Sequence, residues 1–110
     1  MGDAMLQRAV PRDYVKPGAI LAVEVGGVPV ALYDVDGEVL ATSDVCPHAY
    51  CLLSENADVV NGDEVECSCH GSRFSIRSGL NLNPPAADDL TTFRSEVRGL
   101  EVFVEVPPTR

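Results

Sequence analysis

No apolar run in this chain of 110 residues is longer than five or six. A helix across a bilayer needs roughly 20, so no membrane anchor is expected. The opening MGDAMLQRAV lacks a basic stretch followed by an apolar one. With neither a secretory nor a twin-arginine signal visible, the expected compartment is the cytoplasm. Basic residues are also scarce: eight Lys and Arg stand against seventeen Asp and Glu, a formal charge of -9. That balance disfavours nucleic acid and anionic membrane as partners, and leaves either solubility alone or attraction to a protein with a basic surface. No stretch of ten or more residues carries apolar positions at helical spacing, and there is no internal repeat or low-complexity tract. An all-helical architecture is thereby excluded. The last scarcity is the most informative: the chain has four cysteines and two histidines, and all six lie between Cys46 and His70.

What is present instead is a series of short β-branched runs separated by turn residues. Leu6 to Val10 suits an edge strand, interrupted at Pro11-Arg12-Asp13, and Pro17-Gly18 is a turn. Ala19 to Val25 and Val28 to Tyr33 flank Gly26-Gly27, whose tolerance of positive φ predicts a two-residue hairpin. Asp34-Val35-Asp36-Gly37 predicts the next turn, with Glu38 to Thr42 returning as a third strand. Farther on, Asn61-Gly62-Asp63 joins Ala57 to Val60 with Glu64 to Glu66, Arg73 to Ile76 leaves as a strand, and Ser78-Gly79 turns the chain. Thr91 to Val97 and Leu100 to Val106 form a last hairpin around Arg98-Gly99. The expected fold is all-β, a small antiparallel sandwich or partly open barrel, formed as a single domain over residues 1–110. The cysteine-bearing part, about 45–86, projects from it as two loops on a hairpin. Asn83-Pro84-Pro85-Ala86 cannot lie inside a sheet, because proline has a fixed φ and no N–H, and so suits a rigid cover.

The cysteines and histidines fall in two loops with the cores Cys46-x-His48 and Cys67-x-x-His70, eighteen residues apart. Such a concentration of soft and borderline ligands predicts a metal site. One thiolate and one imidazole from each loop fit a two-iron cluster with two cysteines on one iron and two histidines on the other. A structural zinc site in an interaction module is the competing reading. Zinc more often takes a cysteine pair followed by a histidine pair, whereas here each loop mixes the two. Imidazoles in place of thiolates remove negative charge from a cluster and raise its electron affinity. The range is about -150 to +300 mV, against about -400 mV for all-cysteine plant-type ferredoxins. His48 and His70 are then the natural exit path for an electron.

These residues, in their Cys-Pro-His and Cys-His-Gly-Ser contexts, resemble the signature of the Rieske [2Fe-2S] proteins, and the resemblance extends over nearly the whole chain. It implies one Rieske-type [2Fe-2S] cluster held by Cys46, His48, Cys67 and His70. Respiratory and photosynthetic members carry an extra cysteine pair joined as a disulfide, and Cys51 and Cys69 stand at those positions; Rieske ferredoxins of bacterial dioxygenases mostly lack the pair. The resemblance thus implies a Cys51–Cys69 bond clamping the loops, able to survive a reducing cytoplasm if buried and constrained. Two buried thiols packed as small hydrophobes are the alternative. Ser72 matches the respiratory pattern, in which its hydroxyl donates to a cluster sulfur. Phe74 departs from that pattern, since the position is commonly a tyrosine whose hydroxyl is a second donor. Fewer donors and an acidic chain place the expected potential in the lower half of the Rieske range. Gly71 is expected to let the backbone approach the cluster and offer its N–H toward sulfur. Pro84 and Pro85 resemble the proline loop that covers the cluster, and Tyr50 and Arg73 are docking candidates.

With both histidines taken as ligands, none remains for a mononuclear iron with two histidines and a carboxylate. The expectation is an electron carrier with no substrate site, not an enzyme. The chain is similar to the soluble Rieske-type ferredoxins of multicomponent bacterial aromatic-ring-hydroxylating dioxygenases, such as those for biphenyl, naphthalene or carbazole. That implies a flavoprotein, NAD(P)H-dependent ferredoxin reductase as electron donor, a terminal Rieske oxygenase as acceptor, and a monomer. The runner-up is a Rieske-like small accessory subunit of a reductase such as nitrite reductase.

Overall fold

The computed structural model describes residues 5–47, 51–69, 71–83 and 88–107. Gly26 and Gly27 have φ of 56° and 81°, and Asp36 and Gly37 have φ of 54° and 85°. Two consecutive positive φ values make the two-residue turn whose twist matches that of the strands it joins. The first such turn links β2 (Leu21–Val25) to β3 (Val28–Val35), and the second links β3 to β4 (Glu38–Ser43). The second turn is two residues shorter than its composition suggested. Val35 is buried and pairs with Glu38, so the strand continues to the edge of the turn.

β1 (Met5–Pro11) is followed by a 3₁₀ turn, Arg12–Tyr14. The last hairpin is β8 (Thr92–Arg98) with β9 (Glu101–Val106). Its turn is Gly99-Leu100 and not Arg98-Gly99, because Arg98 is still paired with Glu101. Gly99 at φ 61° takes the one position that needs the left-handed region.

These strands form a six-stranded antiparallel sheet in the order β1-β9-β8-β4-β3-β2. It curls into a nearly closed barrel. At Gly26, on the β2–β3 turn, a Cβ would lie 2.9 Å from Gln7 Nε2 on β1 and 3.3 Å from Val106 Cγ2 on β9. Inside the barrel pack Val25, Val30, Leu32, Val39, Ala41, Val102, Val104 and Val106. At its rim, Arg12 donates to Val15 O (2.9 Å) and to Asp34 Oδ2 (2.7 Å), while Gly37 N–H donates to Asp34 Oδ1 (2.9 Å).

The second sheet consists of β5 (Ala57–Val60), β6 (Glu64–Cys67) and β7 (Ser72–Ser75), preceded by a single helical turn, α1 (Leu53–Asn56). It packs on the outside of β3. Ala31, Tyr33 and Val35 point into a second core shared with Leu53, Val65, Phe74, Ile76, Cys46 and Cys67. β3 is therefore buried on both faces, which explains why Val30-Ala31-Leu32-Tyr33 is a continuous apolar run without alternation. Among the described residues no helix is long and apolar enough to cross a membrane.

Candidate metal centre

The first cysteine loop grows out of the end of β4, where the chain is pinched at its base. Asp44 is buried, and its N–H donates to Pro29 O (3.0 Å). Its carboxylate accepts from Ser54 N–H (2.8 Å) and from Ser54 Oγ (2.7 Å), and its carbonyl accepts from Leu53 N–H (2.7 Å). A carboxylate this deep is tolerated because strong donors satisfy it. Val45 bridges Leu52, and Cys46 N–H donates to Cys51 O (2.9 Å), so Cys46 and Cys51 face each other across the root of the loop. Below them the Tyr33 phenol shares a hydrogen bond with Thr42 Oγ1 (2.8 Å). Burial holds the Tyr33 proton more tightly than in water; the Thr42 bond opposes this and the Asp44 charge adds to it.

The second loop connects β6 to β7, whose ends pair as Cys67 and Ser72. Gly71, at φ 70°, closes the turn by donating its N–H to Cys67 O (2.9 Å). That N–H has a backbone carbonyl as its partner. The glycine is required by its backbone angle and not by crowding, because a Cβ there would meet nothing within 4 Å.

α1 ties the two loops together. Asn56 O accepts from both Ser68 N–H and Ser68 Oγ, each at 2.8 Å, while Asn56 Nδ2 donates to Leu52 O (3.0 Å). The Cys51–Cys69 disulfide makes a second tie, closing an 18-residue separation with a Cα–Cα distance of 6.7 Å. Cys51 is half-buried but Cys69 is exposed, so the condition of burial attached to this bond is not met.

Cys46 and Cys67 are buried thiols in the same core, 2% and 0% exposed. The sulfurs of Cys51, Cys67 and Cys69 lie within 4.8 Å of one another, but two of the three are spent on each other. The donors fit a thiophilic metal group. A neutral thiol packs readily in an apolar core, whereas a thiolate there needs a compensating cation. His48, His70, Tyr50, Pro84 and Pro85 lie outside the described residues.

Of the remaining candidates, Ser72 is 5% exposed and pairs with Cys67, while Phe74 is fully buried, pairs with Val65 and shares a core with Cys67. Arg73 reaches across to β6, where its guanidinium lies 3.4 Å from Glu66 and 3.7 Å from Glu64. Its charge is compensated locally by these two carboxylates. The sequence reading missed Asp44, Ser54, Asn56, Ser68 and Asn83. Only Asn83 carried a local signal, as an amide directly before two prolines that cannot donate.

Residues 5–94 match the profile of the Rieske [2Fe-2S] domain. The biphenyl dioxygenase ferredoxin subunit of Pseudomonas sp. (strain KKS102) is 38% identical over 98 residues, 89% of each chain. The solved ferredoxin of Sphingomonas yanoikuyae B1 superposes with a TM-score of 0.84 at 28% identity, covering 94% of this chain and 100% of that one. A chain in the complex of reduced oxygenase and oxidized ferredoxin in carbazole 1,9a-dioxygenase gives 0.81 at 32% identity, covering 96% of both.

Proposed function

The chain belongs to the Rieske [2Fe-2S] domain family, and on that premise we propose that it is a one-electron carrier, the ferredoxin component of an aromatic-ring dioxygenase system. The observation that carries this reading is the 38% identity to a dioxygenase ferredoxin subunit over 89% of both chains. It carries a Rieske-type [2Fe-2S] cluster. In our reading Cys46 and Cys67 supply the thiolates, and His48 and His70 the imidazoles, from the two loops that Asn56 and the disulfide hold together. When bound, the group takes up and releases one electron at a time without proton chemistry on a substrate. The two thiols that would hold it, Cys46 and Cys67, share a buried core with Phe74, Val65 and Leu53.

The electron donor in this reading is a flavoprotein, NAD(P)H-dependent ferredoxin reductase, and the acceptor is a terminal Rieske oxygenase. The carbazole complex, an oxygenase with its ferredoxin, supports the second of these by analogy. We read the chain as one domain over its whole length, a monomer of the cytoplasm, with no substrate site of its own. Residues 51–83 hold five acidic residues (Glu55, Asp58, Asp63, Glu64, Glu66) against Arg73 and Arg77. Both arginines are engaged in ion pairs. Encounter with a basic partner face is therefore steered by charge and should slow as ionic strength rises.

The test is the visible spectrum of the purified protein before and after dithionite, with iron and sulfide analysis. A [2Fe-2S] absorbance that bleaches on reduction supports the carrier; a colourless zinc protein ends the reading. Reconstitution with reductase and oxygenase then asks whether the chain is required for turnover. Transfer rates that ignore salt would remove the steering claim.

A further inference from the structure

Residues 80–83 run antiparallel to β7. Phe74 bridges Asn81, Ser75 N–H donates to Leu80 O (3.0 Å), and Leu82 N–H donates to Arg73 O (2.8 Å). Continued in that register, an antiparallel ladder would next take a bond from Arg73 N–H to the carbonyl of residue 82 and one from the N–H of residue 84 to Gly71 O. Residue 84 is proline and has no N–H to give. The side-chain amide of Asn83 makes both bonds instead. Its Oδ1 accepts from Arg73 N–H (2.9 Å), and its Nδ2 donates to Gly71 O (2.6 Å). Asn81 Oδ1 in turn accepts from Asn83 N–H (3.0 Å).

From this we infer that Asn83 is a positioning residue for the cluster. Its amide stands in for a peptide unit and fixes the backbone on both sides of Ser72. The inference rests on the cluster reading above. Gly71 is the pivot: its carbonyl is held by Asn83 and its N–H by Cys67 O, so the Asn83 amide acts on the turn that carries His70 between Cys67 and Ser72. A plain surface asparagine would make neither bond, and a leucine of similar size can make neither.

The experiment compares the cluster-loaded wild type with Asn83→Leu, which loses both bonds, and Asn83→Asp, which loses the donor to Gly71 O. Arg12→Ala, at the far rim of the barrel, serves as a control for general destabilisation. The readouts are the visible circular dichroism, the g values of the reduced cluster, the midpoint potential, and the rate at which a chelator bleaches the cluster. Both Asn83 variants should shift the g values and the midpoint. Asn83→Leu should bleach about 5- to 30-fold faster, one or two net hydrogen bonds at a factor of roughly five each. Arg12→Ala should lower the melting temperature and leave the g values and midpoint where they were. Asn83 variants with wild-type g values, midpoint and bleaching rate would overturn the inference while leaving the cluster in place. A wild type with no [2Fe-2S] absorbance would sink the underlying reading and this one with it.

Discussion

Asp44 and Ser54 face each other across the base of the first cysteine loop, with one carboxylate oxygen on the Ser54 N–H at 2.8 Å and the other on Ser54 Oγ at 2.7 Å. Two donors from one residue hold a buried charge and, through it, the mouth of a loop that must not open. Ser54→Ala removes one charge-assisted hydrogen bond and should cost about 1.5–3 kcal/mol. Asp44→Ala should cost more, because the Ser54 N–H and the Ser54 hydroxyl both lose their acceptor, while the bond from Leu53 N–H to the residue 44 carbonyl is kept. Guanidinium titration followed by cluster absorbance would show both; a midpoint for Ser54→Ala equal to wild type would refute the clamp.

Arg12 and Asp34 form a similar pair on the barrel. The Arg12 hydrogen bond, outweighing the opposing effect of burial and helped by Gly37 N–H and the Arg12 charge, holds the Asp34 carboxyl below its ordinary value. A folded-state value below the unfolded one means stability that is fully present above the unfolded value. That stability is lost as pH falls through the folded one. Urea midpoints of wild type and Asp34→Asn should therefore differ by a constant amount above about pH 5 and converge below about pH 4. A difference that stayed constant down to pH 3 would contradict this.

The exposed Cys69 makes the disulfide accessible to reductants without unfolding. A phosphine or dithiol at neutral pH should reduce it in the native protein. The Cys51→Ser, Cys69→Ser double variant should lose about 3 kcal/mol, the loop-closure value for a separation of this length. Mass spectrometry of alkylated native protein checks the first point, and denaturant unfolding the second. Thiols that react only after denaturation would show that the loops shield the bond.

The hairpins were legible because their signals are local. Gly26-Gly27 and Asn61-Gly62 supply positive φ where the turn needs it. The two cysteine loops were legible because residue type and spacing alone set them apart. What was hidden depends on contacts across the chain. α1 is four residues long, too short to show a helical period. β4 and β8 meet through Ala41–Phe93 and Thr42–Thr92, a pairing that no local pattern encodes. The bond from Gly71 N–H back to Cys67 O depends on the turn's backbone geometry, which residue type does not give. Asp44 reads as an ordinary loop carboxylate, since nothing in sequence announces that Ser54, ten residues on, will cap it.

Phe74 pairs with Val65 on β6 and sits, fully buried, in the core that holds Cys46 and Cys67. A phenyl ring there offers an apolar wall and no proton to share with sulfur. Phe74→Tyr would bring a hydroxyl into the same space. If the hydroxyl reaches a sulfur of the cluster, it stabilises the reduced, more negative state more than the oxidised one, and the midpoint should rise. If it reaches none, it is a buried polar group without a partner, costing about 1–3 kcal/mol, and the midpoint should stay put while stability falls. The two consequences separate cleanly in one pair of measurements, a redox titration and a denaturant titration. Because the position belongs to the strand next to Cys67 and is sealed from solvent, we expect the first outcome, with a higher potential than wild type. A lower potential would mean that the ring edge, and not the missing hydroxyl, tunes the centre.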